Sequence, residues 1–314
     1  MLPTLVLCAG LGTRLDPLTR LVAKPAVPLH GKTLVERVLD GLERQGVREV
    51  VVNLSHRPET ITRIIADGAH LGLHVRYSWE QPVLGSAGGP RRALPLLDAD
   101  TFLIVNGDTL SSVALAPMLD AHRASGADVT MAVVPNPRPD HYNGIVLDDR
   151  DRVTGFVPKG QAASSWHFIG IQIVRASVFA SLADGTIAET VAGIYRARLA
   201  AAPGALRGWR VTTPFIDVGT PRDYLDAALS FAGSAGEGRS IEAGARIHPS
   251  ADVTRSVVWP GAEIAADADL EDCIVTGVSV PAGLRARSAA ILPASAVRAD
   301  DVAEIHDGVA VFRF

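Results

Sequence analysis

A six-residue period near the end of the chain constrains the fold more than any other feature. Ile241, Ile247 and Val253 stand six positions apart, and the series continues, with shifts in register, through Val258, Ile264, Leu270, Val278, Leu284, Ile291 and Val297. Small residues and glycines fill the intervals. This period is typical of a β-helix built from hexapeptide repeats. Residues 240–302 are therefore predicted to form a short left-handed β-helix of about three coils.

The residues before this region alternate between strand and helix patterns. The run Thr101–Asn106 is apolar (TFLIVN), which is typical of a central strand that is covered on both faces. Helical spacing of apolar residues appears at 33–45, 58–69, 90–97, 113–125, 187–201 and 221–231. Helices of this length between strands indicate βαβ units, and hairpin-like strands follow from Ile145. We predict an α/β fold with a doubly wound, Rossmann-like mixed sheet.

Changes in composition along the 314 residues suggest domain boundaries, and the overall composition argues against several classes of protein. We expect an α/β domain at 1–232, a Gly/Ser/Ala linker at 233–239, the β-helix at 240–302 and a tail at 303–314. A net charge of −4 argues against a general nucleic-acid-binding surface. Apolar runs fall short of the roughly 18 residues of a membrane span, so no membrane association is expected. Only two cysteines and no recognisable signal peptide favour a reducing cytoplasm.

Residues Leu5–Pro25 (LVLCAGLGTRLDPLTRLVAKP) carry the clearest sign of chemistry. A short apolar strand enters a turn with Gly10 and Gly12, whose missing Cβ atoms let backbone N–H groups approach a ligand. Arg14 offers a guanidinium fork and Lys24 a compact charge, and both suit phosphate oxygens. The segment predicts a site for a triphosphate.

Three known patterns are close to this turn without matching it. A dinucleotide fingerprint needs glycine where Leu15 stands, and residues 13–15 lack the Lys-Ser/Thr ending of a Walker A loop. The apolar run before Cys8 is too short for a lipoprotein signal and has no basic residue ahead of it. An ordinary strand-to-helix turn stays as the alternative.

Two carboxylates and a small-residue loop stand at strand ends. Asp108 follows Thr101–Asn106, and Asp217 lies in the sequence FIDVGTP. Ligands of open α/β sheets bind at the carboxyl ends of strands, where an aspartate alone often caps a helix. Two such carboxylates suit Mg²⁺ bound to phosphates. In the loop 84–90 (LGSAGGP), small residues leave room for a flat base.

Together these segments resemble the sugar-1-phosphate nucleotidyltransferases over nearly the whole chain. The most specific motif is Gly10-Leu-Gly-Thr-Arg-Leu-Asp-Pro-Leu-Thr with Lys24-Pro25. The resemblance implies an enzyme that joins an NTP to a sugar 1-phosphate with Mg²⁺ as cofactor, releasing pyrophosphate. Residues 84–88 and Asp217-Val-Gly-Thr-Pro-Arg-Asp-Tyr-Leu resemble mannose-1-phosphate guanylyltransferases, which favours GTP and mannose 1-phosphate. UTP- or dTTP-dependent enzymes and a non-catalytic, nucleotide-sugar-binding regulatory subunit are the alternatives.

The resemblance also implies roles for individual residues. Catalytic roles fall on Arg14, Lys24 and Lys159, and Mg²⁺ would be held by Asp108 and Asp217. The implied nucleotide-binding residues are Leu7, Ala9, Gly10, Gly12, Thr13, Arg14, Gln81, Gly85, Ser86, Ala87 and Gly107, with Glu80 as a further candidate. Those for the sugar phosphate are Gly144, Lys159 and Gly170.

Three further points concern the sugar and the β-helix. The family usually has a glutamate where Pro158 stands, so the sugar stays open, and His141, Tyr142 and His167 flank the same region. The β-helix is expected to support a homo-oligomer, since few coils leave exposed faces and edges. An acyl-transfer role for the β-helix is disfavoured because His248 has no evident partner.

Overall fold

The computed structural model describes residues 1–161, 164–233 and 238–314, and it forms two compact units. The first, here called the sheet unit, consists of Met1–Gly10 and Val38–Ile216. The second, called the β-helix unit, consists of Leu11–Arg37 and Asp217–Phe314. The predicted boundary at 232 does not coincide with this division, because Leu11–Arg37 groups with the C-terminal region. Residues 234–237 of the predicted linker lie outside the described residues.

The sheet unit is built on a nine-stranded mixed sheet, which confirms the predicted fold class. Its main path runs in the order Val153–Val157, Gly144–Leu147, Trp166–Arg175, Thr101–Asn106, Thr4–Leu7, Glu49–Leu54, His74–Trp79. The last four of these strands are parallel. Val129–Pro135 pairs antiparallel with Trp166–Arg175 and parallel with Leu206–Arg210. The central strands are buried on both faces, as their continuous apolar runs predict.

The helices follow the predicted pattern with several shifted ends. Their bounds are Leu34–Arg44, Pro58–Ile65, Gly85–Leu97, Leu115–Ser125, Ser177–Ala180, Tyr195–Ala201 and Pro221–Ala232. The helix predicted over 58–69 ends at Ile65 because Ala66 takes a positive φ of 48°. The helix predicted over 187–201 is a π-helical turn at Thr190–Ile194 followed by Tyr195–Ala201. No helix among the described residues combines the length and hydropathy needed to cross a membrane.

Parallel strands of the β-helix unit form three ladders. Paired residues advance by nearly constant steps, with Ser240 beside Val257 and Glu263 beside Ser279. The strands are Ser240–Ile241, Arg246–Ile247, Asp252–Thr254, Val257–Val258, Glu263–Ile264, Asp269–Val275, Ser279–Val280 and Arg285–Pro293. Most of the repeated apolar residues are buried, although Ile241 is exposed. The arrangement is that of a β-helix of about three coils, and its handedness stays a prediction.

The segment 303–314, predicted as a tail, is instead part of the packed structure. It forms strands Glu304–His306 and Val309–Arg313, which pair with each other, and the second also pairs antiparallel with Arg285–Pro293. Val309 through Phe312 are buried by this pairing. The segment is therefore paired and packed, because the apolar side chains of Val309–Phe312 complete a sheet.

Candidate active site

In the sheet unit, several predicted nucleotide-binding residues lie at the carboxyl ends of parallel strands. The Gly107 amide donates to the Leu7 carbonyl over 3.0 Å, which brings two strand ends together. A Cβ on Gly107 would lie 2.6 Å from the Cys8 Sγ, so only glycine permits this approach. Asp108 follows at once, half-buried, and accepts a hydrogen bond of 3.3 Å from the Thr109 hydroxyl.

A buried chain of hydrogen bonds joins three strand ends beneath this edge. The Cys8 amide donates to the Asn53 Oδ1 (2.7 Å), and the Asn53 Nδ2 donates to the Glu80 Oε1 (2.6 Å). The Leu84 amide donates to the second oxygen of Glu80 (2.8 Å). Glu80 is 3% exposed and accepts from protein groups at both oxygens, so it positions the turn at Leu84. Sequence reasoning missed Asn53, whose signal is a lone polar residue within the apolar strand EVVVNL.

The predicted base loop is the first turn of helix Gly85–Leu97, five residues ahead of the predicted start. A distant segment, 188–190, lies against this turn. The Ala87 amide donates to the Ala188 carbonyl (2.9 Å), and the Thr190 amide donates to the Ser86 Oγ (2.9 Å). The Ser86 hydroxyl also donates to the Glu189 carboxylate. These contacts require small residues at 85–88 whether or not a nucleotide base binds there. The base-binding role therefore stays a prediction. Gln81, just before this turn, is exposed.

At two of these glycines, an added Cβ would collide with the backbone of residues 186–188. At Gly85, where φ is +77°, it would lie 2.6 Å from the Ala188 carbonyl oxygen. At Gly88 it would lie 2.2 Å from the Thr186 carbonyl oxygen. Glycine is therefore required here for close passage of two backbones.

The second half of the glycine-bearing turn belongs to the β-helix unit. Gly12 has a φ of +64°, and a Cβ there would lie 2.8 Å from the Thr19 Cγ2 and 3.1 Å from the Lys24 Cβ. The chain thus folds back on itself through short 3₁₀ helices at Thr13–Leu15, Leu18–Arg20 and Lys24–Ala26. Thr13 and Arg14 are exposed, whereas Lys24 is only 7% exposed.

Arg14 lies beside the turn that follows Asp217. A Cβ on Gly219 would be 3.2 Å from the Arg14 Nη1 and 3.1 Å from the Asp223 Oδ2. The Asp223 carboxylate caps helix Pro221–Ala232 by accepting from the Thr220 amide (2.9 Å) and hydroxyl (2.8 Å). The β-helix unit therefore brings together two predicted features, the phosphate-directed arginine and the turn with a predicted Mg²⁺ ligand.

Among the predicted sugar-phosphate residues of the sheet unit, Lys159 lies in a turn that is hydrogen-bonded to the turn at residues 139–143, whereas Gly144 begins strand Gly144–Leu147 and Gly170 lies within strand Trp166–Arg175. The Lys159 amide donates to the Asn143 Oδ1 (3.0 Å), and the Gly160 amide donates to the Pro139 carbonyl (2.9 Å). Lys159 itself is exposed. Gly144 is buried, and a Cβ there would lie 2.5 Å from the Ser165 Oγ. Gly170, with φ at +76°, packs against the Asn106 side chain.

An aromatic cluster adjoins these turns. Tyr142 stacks on His167 with 4.1 Å between ring centroids, and Phe215 lies 5.3 Å from His167. Arg138 donates from Nη2 to the Tyr142 hydroxyl (2.6 Å). Burial, together with the charges of Arg138 and His141, lowers the pKa of His167 to about 4. His167 is therefore neutral at pH 7 and packs as an aromatic ring.

Asp108 and Asp217, the predicted Mg²⁺ ligands, each present a carboxylate. In the described parts of the chain, no group of three or more His, Cys, Asp and Glu residues could hold a metal ion. Asp108 belongs to the sheet unit and Asp217 to the β-helix unit. Carboxylate oxygens are ligands that Mg²⁺ accepts, and it commonly fills other positions with water and substrate phosphates. Aspartate oxygens therefore suit Mg²⁺, and the role of Asp108 and Asp217 as its ligands stays a prediction.

Comparisons with known proteins agree with this chemistry. A family model described as nucleotidyl transferase matches residues 3–233. A mannose-1-phosphate guanylyltransferase of Mycobacterium tuberculosis is 30% identical over 291 residues, covering 88% of this chain and 81% of that protein. A UTP–glucose-1-phosphate uridylyltransferase of Synechocystis sp. is 32% identical over 198 residues, covering 58% of this chain and 51% of that protein.

Solved structures show the same fold. HddC from Yersinia pseudotuberculosis, crystallised with GMP-PN, superposes with a TM-score of 0.64 at 24% identity. The match covers 74% of this chain and 100% of that one. A likeness at this level of identity shows a shared fold and no more.

Proposed function

The chain belongs to the nucleotidyl transferase family, and we propose that it transfers a nucleotidyl group from an NTP to a sugar 1-phosphate. The observation that carries this proposal is the Arg14 guanidinium beside Gly219, two residues after Asp217. A cation next to a carboxylate-bearing turn suits a triphosphate that arrives with a divalent cation. Gly12, with its positive φ, lets the turn that carries Arg14 pack closely against Thr19 and Lys24.

The reaction needs positioning and charge neutralisation rather than a covalent enzyme intermediate. A phosphate oxygen of the sugar 1-phosphate attacks the α-phosphorus of the NTP in line. The new P–O bond forms as the bond to the bridging oxygen breaks, and that electron pair leaves with pyrophosphate. Arg14 and Lys24 neutralise the departing charge, and Lys159 holds the sugar phosphate. Mg²⁺, when bound by Asp108 and Asp217, supplies further neutralisation of phosphate charge.

For the substrates, we propose GTP and mannose 1-phosphate. The mycobacterial guanylyltransferase, which aligns with 88% of this chain, supports this pair. UTP is the second candidate because the Synechocystis relative, a uridylyltransferase, has a comparable sequence identity. The use of dTTP and a non-catalytic role are further alternatives that rest on sequence resemblance alone. Pro158, where the family usually has glutamate, leaves room for a different sugar.

A substrate panel tests this proposal. GTP, UTP, dTTP, ATP and CTP are each combined with several sugar 1-phosphates, and pyrophosphate release is measured. The fastest release is expected with GTP and mannose 1-phosphate. Faster release with another pair would replace the substrates. No release with any pair, together with binding of a nucleotide sugar, would contradict catalysis and favour a regulatory subunit.

We also propose a homo-oligomer formed through the β-helix, in a reducing cytoplasm. Exposed apolar side chains near the end of the chain, Val302 and, on strand Glu304–His306, Ile305, support a contact surface there. Cys8 and Cys273 are buried and neither forms a disulfide, which is compatible with a reducing compartment. Sedimentation velocity of the full chain is expected to show a species larger than a monomer. A monomer at all concentrations would contradict the proposed homo-oligomer.

A further inference from the structure

A buried arginine fixes the segment that carries the predicted phosphate contacts. Arg20 follows residues 12–15, here called the phosphate turn, and is 8% exposed. Its Nε donates to Asp16 at 2.9 Å, and its Nη2 donates to the same carboxylate. Asp16 comes directly after Leu15, the last residue of the phosphate turn. The Arg20 guanidinium therefore holds the end of this turn.

The other side of the same guanidinium is held by the C-terminal segment 294–314. The Nη2 of Arg20 donates to the Asp301 Oδ1 (2.9 Å), and its Nη1 donates to the second oxygen of Asp301. Nη1 also donates to the Ala296 carbonyl (3.0 Å), and the guanidinium carbon lies 5.0 Å from the centre of the Phe312 ring. All three guanidinium nitrogens thus have acceptors, with Asp16 on one side and C-terminal groups on the other.

Two more buried contacts anchor the far end of residues 11–37 to the same unit. Glu242, 5% exposed, accepts from the amides of His30 (2.6 Å) and Gly31 (2.7 Å). The Tyr224 hydroxyl donates to the Pro28 carbonyl (2.5 Å) and accepts from the Trp259 Nε1 (2.8 Å). Nearest the phosphate turn, Asp16 is held by Arg20 and also pairs with Arg298 of the C-terminal segment at 3.7 Å. The conformation of that turn therefore depends on residues near the end of the chain.

We infer that Arg20 and Asp301 are positioning residues through which the C-terminal segment 294–314 holds the phosphate turn in its nucleotide-binding shape. The inference rests on the proposed function and adds a dependence on residues beyond the 3–233 match. Without Asp301, a buried cation loses one of its two carboxylates and must move toward water or draw Asp16 with it. Either movement shifts the backbone next to Arg14.

Steady-state kinetics of full-length variants test this inference. Asp301→Ala is compared with Glu304→Ala, a matched change to an acidic residue three positions away. Glu304 pairs with Arg313 at 2.8 Å, with side-chain exposures of 53% and 60%. We expect Asp301→Ala to raise the KM for the NTP about ten-fold or more, with kcat and the KM for sugar 1-phosphate within about two-fold. Glu304→Ala is expected to behave as wild type. Equal rises in both KM values, or none, would overturn the inference.

Amide hydrogen exchange without substrates separates this inference from the proposed function. In Asp301→Ala, exchange at residues 13–22 is expected to become about ten-fold faster, while strand Thr101–Asn106 exchanges as in wild type. Unchanged exchange at 13–22 would overturn the inference even if the enzyme is active. If the wild type releases no pyrophosphate, the proposed function fails and this experiment still decides whether Asp301 holds the turn.

A second variant covers a failure to fold. Asp301→Asn keeps the shape and one acceptor oxygen but removes the charge, so the same changes are expected at smaller size. Glu304→Gln is its matched control. Identical hydrogen exchange at residues 13–22 in Asp301→Asn and in its control Glu304→Gln would overturn the inference.

Discussion

At the scale of single residues, Gly219 lies beside the Arg14 guanidinium. A methyl group on Gly219 would lie 3.2 Å from the Arg14 Nη1, closer than ordinary van der Waals contact. The guanidinium is the end of a flexible, exposed side chain, so it would move rather than the backbone. The proposed neutralisation of the leaving pyrophosphate depends on where this cation lies.

Gly219→Ala is therefore expected to slow pyrophosphate release about two- to ten-fold and to lower stability slightly, because the same methyl group would lie 3.1 Å from the Asp223 Oδ2 that caps the following helix. The control is Gly41→Ala, since a Cβ at Gly41 meets nothing within 4 Å. Release rates and thermal unfolding are measured for both variants. A Gly219→Ala enzyme as fast as wild type would show that this arginine position is not needed.

His167 gives the stability a defined pH dependence. Its pKa is lowered to about 4 in the folded chain, whereas an unfolded histidine titrates near 6.5. Between these values the unfolded chain binds the extra proton, so the free energy of unfolding falls as the pH is lowered from about 7 toward 4. His167→Phe keeps the ring on Tyr142 but cannot titrate. Denaturant unfolding from pH 4.5 to 7.5 is expected to show a shallower fall for the variant, and equal slopes would contradict this account.

At the scale of elements, the start of helix Gly85–Leu97 depends on a contact about a hundred residues away in sequence. The Ser86 amide donates to the Glu189 carboxylate over 3.3 Å, and an acidic group at this end also suits the helix dipole. The sequence predicted a loop there and a helix only from Pro90, because local signals contain no trace of segment 188–190. Strand Thr101–Asn106 was predicted at its observed bounds, since an apolar run is a local signal.

Loss of the Glu189 contact is expected to loosen the first turn of this helix. Glu189→Ala should lower the free energy of unfolding by about 1 kcal/mol, the usual effect of losing a cap. Asp184→Ala is the control, because Asp184 pairs with Arg92 of the same helix on the exposed surface and such pairs contribute little. Denaturant unfolding measures both. Equal losses would contradict a special role for Glu189.

At the scale of the whole molecule, the sequence predicted the two architectures but not how the chain is shared between compact units. The six-residue period and the strand–helix alternation are repeated local patterns, so both were visible. The grouping of Leu11–Arg37 with the C-terminal region was not, because it depends on contacts such as Arg20 with Asp301 and Glu242 with His30. For the site, residue types were readable, while the supporting groups Asn53, Gly219 and Glu189 required the structure.

The two units contribute different predicted groups to the chemistry. Asp108 and Lys159 belong to the sheet unit, whereas Arg14, Lys24 and Asp217 belong to the β-helix unit. The β-helix unit therefore carries residues that are proposed to bind the triphosphate. Substitutions in either unit are expected to affect turnover.

Pyrophosphate release from GTP and mannose 1-phosphate with Mg²⁺ tests the central claim most directly, in wild type, Asp108→Ala and Asp217→Ala. The wild type is expected to release pyrophosphate, and EDTA to abolish it. Each variant should be slower by about a hundred-fold or more with an unchanged circular dichroism spectrum, because a carboxylate that holds the cation is lost. Variants as fast as the wild type would contradict the account.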